Sequence, residues 1–127
     1  MFYIKYLDRI IRLLFIITFC CINLWSVSIN YVYPKIITPG TSSNENDIFF
    51  IKYSNPENEE LRLRIFDIYG CLVKEIDTNN PSASSDGFWL LKWDGTDKYN
   101  NYVNPGIYIY QLETVKKTIN GIVCVVR

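Results

Sequence analysis

Asp94 and Asp97, followed closely by Asn100 and Asn101, are the densest group of chemistry-bearing side chains in the sequence. A carboxylate pair at this spacing suits either an acid/base couple or the start of a calcium cage, which needs about six to eight oxygen ligands. The same residue types also build turns, in which an aspartate accepts backbone N–H groups of the residues after it. The turn is the favoured reading, because Gly95 follows Asp94 directly and only amides remain to complete a metal site. Glu45, Asn46 and Asp47 form a second, sparser oxygen cluster. No metal site is therefore expected.

Nucleophilic chemistry fares no better. Ser82, Ser84 and Ser85 share one loop, but the chain has no histidine, so neither a Ser-His nor a Cys-His arrangement can be assembled. A Ser-Lys pair would need a desolvated lysine, and Lys92 and Lys98 stand in strand-edge and loop contexts. Cys20 and Cys21 lie in an N-terminal apolar run. Cys71 and Cys124 lie in apolar strand patterns and read as small buried hydrophobes, with a disulfide permissible if the chain is exported. The expectation is a non-enzyme without a cofactor.

The 127 residues leave room for one domain, and a 49% hydrophobic, 16% aromatic composition is ample for its core. Beyond residue 28 the chain carries 10 basic and 12 acidic side chains, with no basic footprint for nucleic acid. Residues 1–28 read as an export signal. Lys5, Arg9 and Arg12 precede an apolar run over 13–22, and Ser26-Val27-Ser28 offers a small-x-small cleavage site, so the mature chain should begin near Ile29. The run is about half the ~20 residues of a spanning helix. An uncleaved anchor is the competing reading, and it would be the chain's one link to a membrane. Either way the protein is exported, to the periplasm, the cell surface or beyond.

Residues 29–127 follow a period of two, broken by turns. Strands are expected over 31–38 (with Pro34 marking an edge), 47–54, 61–68, 71–76, 87–93, 106–113 and 118–126. Tyr69-Gly70 makes a hairpin of 61–76, and 78–86 is a loop by composition. Asn120-Gly121 signals a bulge or a misplaced boundary. About seven short strands with regular turns predict an all-β, immunoglobulin-like or fibronectin-III-like antiparallel sandwich behind an N-terminal signal helix, with a small barrel as the alternative.

Two stretches carry a family resemblance. Trp93-Asp94-Gly95-Thr96-Asp97, continued by Val103-Asn104-Pro105-Gly106-Ile107-Tyr108-Ile109-Tyr110, resembles the pattern W-D-G-x-D-x-x-[GN]-x-x-V-x-x-G-x-Y-x-Y of the Ig-like domain first described in the flagellar hook-capping protein FlgD. Residues 61–73, with Asp67 and Gly70, resemble that domain's hairpin. Residues 37–47 resemble the entry loop of its gliding-motility-associated relatives, without the paired glycine and aspartate. Cys71 stands where the family has a basic residue, and Asn100 or Asn101 where it has a glycine.

The resemblance implies a non-catalytic module for protein interaction, assembly or surface sorting. In related proteins such domains close larger secreted passengers. Here only the signal segment precedes it, so the chain is a free-standing module or the remnant of a longer protein. Trp93, Tyr108 and Tyr110 are expected in the core. Tyr99, Tyr102 and the Phe88-Trp89 pair could form a flat surface for a partner protein, a cell-surface component or a carbohydrate.

Overall fold

The computed structural model describes residues 3–5, 7, 9–11, 26–41 and 46–127. The described residues among the first eleven are helical, and no described helix is long and apolar enough to cross a membrane. The apolar run, Cys20, Cys21 and Glu45 lie outside the described residues.

Among the described residues nine strands form two stacked sheets: β1 (Ser28–Tyr33), β2 (Ile36–Ile37), β3 (Phe49–Ser54), β4 (Leu61–Asp67), β5 (Leu72–Ile76), β6 (Ser82–Ala83), β7 (Trp89–Trp93), β8 (Gly106–Thr114) and β9 (Thr118–Val125). One sheet has the order β1-β3-β7-β6, the other β2-β9-β8-β4-β5. All pairs are antiparallel except β2 with β9. The expected sandwich is the fold found, with two more strands than the seven expected.

Both additions have local causes. The single strand expected over 31–38 breaks at Pro34, which has no N–H to continue a ladder. Its first half pairs with β3 and its second half crosses to the other sheet beside β9. The loop over 78–86 contributes Ser82–Ala83, which pairs with Leu90 and Trp89. Asn120-Gly121 makes no bulge, since β8 and β9 stay in register across it. Glycine stands there because the Tyr110 ring lies over it, and a Cβ at residue 121 would come 2.1 Å from the Tyr110 hydroxyl.

Alternation explains the core. Phe49, Ile51 and Tyr53 of β3 and Leu91 and Trp93 of β7 face Leu61, Leu63 and Ile65 of β4, Tyr108, Tyr110 and Leu112 of β8, and Val123 and Val125 of β9. Val27 belongs to this cluster and has no exposed surface, and β1 begins at Ser28. The packed domain thus reaches back past the boundary expected at Ile29.

Candidate functional site

The Trp-Asp-Gly segment leaves the end of β7 and crosses to the other sheet through residues 94–105. Trp93 is buried, its ring 5.5 Å from that of Tyr108, and its indole N–H donates to the Thr96 carbonyl (2.8 Å). Asp94 Oδ1 accepts from the Thr96 N–H (3.1 Å) and hydroxyl (2.6 Å), with Lys74 Nζ 3.5 Å away. Partial burial pushes the Asp94 carboxyl upward, but the Thr96 donors and the Lys74 charge outweigh it and hold the group below its usual range. Gly95 adopts φ +72°, and a Cβ there would meet Pro39 Cγ at 2.2 Å. Only glycine satisfies both the conformation and the contact.

Asp97 then opens a five-residue turn. Its Oδ1 accepts the N–H groups of Tyr99 (2.8 Å) and Asn101 (2.9 Å), its own N–H donates to the Asn101 carbonyl (2.8 Å), and its carbonyl accepts from Asn100 (3.0 Å). Asn100 takes the left-handed conformation at φ 64°. Asp67 builds the same device at the β4–β5 hairpin. Its Oδ1 accepts from Tyr69 and Cys71 (2.9 Å each), its N–H donates to Cys71, its carbonyl accepts from Gly70, and Gly70 sits at φ 81°. The two turns lie at the same end of the sandwich, joined by the Lys98 N–H donating to the Val73 carbonyl (3.0 Å). Each presents a solvent-exposed tyrosine at its tip, Tyr69 and Tyr99.

Beyond Pro105 and Gly106, the Tyr108 hydroxyl turns back to donate to the Asn104 carbonyl (2.7 Å). Burial first, and then the nearby Asp67 charge, raise its pKa. The three aspartates therefore spend their Oδ1 atoms on backbone and hydroxyl donors within turns. Among the described residues no three His, Cys, Asp or Glu side chains converge.

The other expected residues scatter. Trp89 is part-exposed and Phe88 half-buried beneath Lys52, at the far end of β7 from Tyr99 and Tyr102, so the four aromatics do not make the expected common surface. Cys71 is the exposed last residue of the Asp67 turn and Cys124 is half-buried, both free, which corrects the expectation of two buried thiols. The strand expected from residue 71 starts at Leu72, because the turn consumes Cys71. Ser84 closes a turn to Phe88, while Lys92 and Lys98 are exposed. The Asn46 carbonyl accepts from the Thr38 N–H (3.0 Å), and the Asp47 carboxylate accepts from the Thr41 hydroxyl (3.0 Å). The twin turns share the signature D-x-Y-[GN]-x, a signal of their common geometry that is present in the sequence itself.

The sandwich is not a fold peculiar to one activity, and its organised end is built from turns. Against family models, residues 31–125 match the CHU_C type IX secretion signal domain. The chain belongs to that family of secretion-sorting domains, the mark of an exported protein. Neither curated proteins nor solved structures gave a match.

Proposed function

We propose that this chain works as a sorting domain: a folded, non-catalytic address that delivers the polypeptide carrying it through the type IX apparatus. The family match over residues 31–125 carries the reading, since it runs from within β1 to the end of β9. The absence of histidine from the sequence and the turn duty of the aspartates agree with a role in recognition rather than reaction. We read the Trp93–Tyr108 corner and the Asp67 hairpin as the scaffold of an FlgD-type Ig-like module, and the segment before residue 26 as an export leader. The partner is then a protein of the export route or the cell surface, and nucleic acid has no part.

The test is transplantation. The domain is fused to the C-terminus of a periplasmic reporter in a bacterium with type IX machinery and in its machinery-deficient derivative. The reporter should appear outside the cell only in the competent strain. Equal retention in both strains defeats the proposal.

A further inference from the structure

The outward face of the five-stranded sheet is divided by residue chemistry. Register places Ile36, Cys124 and Ile107 side by side across β2, β9 and β8. The next outward row is Ile122, Ile109, Phe66 and Leu72, crossing β9, β8, β4 and β5. Every position in these two rows is uncharged and apolar.

The following row is Asn120, Gln111, Arg64 and Glu75, and the last is Thr118, Glu113 and Arg62. There the charges answer one another: Arg64 pairs with Glu113 and hydrogen-bonds Gln111, and Arg62 lies 3.8 Å from Glu75. An antiparallel sheet with one face in water alternates apolar-in and polar-out. The lower half obeys that rule and the upper half breaks it on every strand.

The break leaves real surface. Ile122 is 62% exposed, Ile36 55%, Ile107 51% and Leu72 48%. Together they present on the order of 400 Å² of aliphatic surface, the size of the largest and often functional patch on a typical monomer. That is well short of the ~800 Å² per partner in a stable complex, so it fits a contact that forms and releases. Neither row carries a charged residue, and the charge that reaches the band is the Arg64 guanidinium of the next row, 5.7 Å from the centre of the Phe66 ring at its border.

Resting on the sorting role above, we propose that this apolar band is the surface by which the type IX apparatus holds the domain. Its partner is an uncharged, apolar protein face of similar extent that engages briefly and lets go. A second copy of the chain is the rival occupant, and a face-to-face pair would bury too little to persist.

The experiment follows the full 127-residue chain in a type IX-competent bacterium, comparing secreted with cell-retained protein. Ile107→Lys with Ile122→Lys should cut the secreted fraction by about tenfold or more, the effect of losing a decade of affinity. The purified variant should melt within a few degrees of wild type, since both side chains already face water. Should the lysine pair fail to fold, Ile107→Thr with Ile122→Thr keeps β-branched residues and asks the same question. Arg62→Gln with Glu75→Gln, in the polar half, should leave secretion unchanged.

If wild type is secreted and both folded band variants are secreted equally well, the docking surface is overturned while the sorting role stands. Retention of wild type itself would overturn the sorting role and this inference with it. A wild-type dimer in sedimentation that the lysine pair dissolves would assign the band to self-association instead.

Discussion

The Asp67 and Asp97 turns share one hydrogen-bond pattern but have different work. The Asp67 turn joins neighbouring strands of one sheet, β4 and β5, whose own ladder would hold them together. The Asp97 turn sits in a corner between sheets, where no ladder runs, apart from the lone Thr96–Tyr102 bridge. The corner needs Trp93, Asp94, Gly95 and Tyr108 to fix its path, whereas the hairpin needs its aspartate and a left-handed fourth residue. A turn inside a sheet inherits its geometry from the strands. A turn between sheets must carry its own.

The largest expected break in that contrast is Trp93→Ala, which should cost roughly 3–5 kcal/mol in denaturant melts, the range for truncating a buried aromatic. A loss under about 1 kcal/mol would mean the corner does not depend on the indole. Gly95→Ala should follow at about 2–4 kcal/mol, combining a left-handed φ with overpacking against Pro39. Asp97→Ala and Asp67→Ala each free two N–H groups at exposed positions, so each should cost about 1 kcal/mol. Asp97 should cost the more of the two, since its turn lacks strand support, and equal losses would erase the distinction.

Smaller still is the acid response of Asp94. Its folded pKa is depressed, so its contribution is present above the unfolded value of about 3.9 and disappears as pH falls through the folded one. Melts between about pH 6 and 2 should show wild type losing slightly more stability than Asp94→Asn. The difference is small because the side chain is 57% exposed and solvent screens it. Smallest of all is Asn100→Gly, expected within about 0.5 kcal/mol of wild type, since glycine already serves the matching place in the hairpin.

Short-range chemistry was legible in the sequence. The alternation of Leu61, Leu63 and Ile65 gave a strand and its buried face, and Trp-Asp-Gly with Pro-Gly gave a corner between strands. What could not be read depends on partners far along the chain. Nothing near Pro34 announces that Ile36 will lie beside Cys124, and without that pairing the change of sheet is invisible. Gly121 looked like a bulge because its reason, the Tyr110 ring, arrives from another strand. The apolar band is not legible along the chain because each strand contributes only one or two of its members. Trp89 and Tyr102 looked like one surface because sequence proximity does not say which end of a sandwich a loop reaches.

The place of β9 has a consequence for when this fold can exist. It lies inside its sheet, between β2 and β8, and its Val123 and Val125 complete the core. β2 has no other neighbour in that sheet. While a ribosome is still adding residues 118–125, the early residues Ile36 and Ile37 have nothing to pair with, and one face of the core stands open. Closure waits for β9, because loop closure over that separation must precede the contacts that reward it. A domain of this topology stays open until β9 has been made, so any partner that reads the folded surface sees only chains that already carry this last strand.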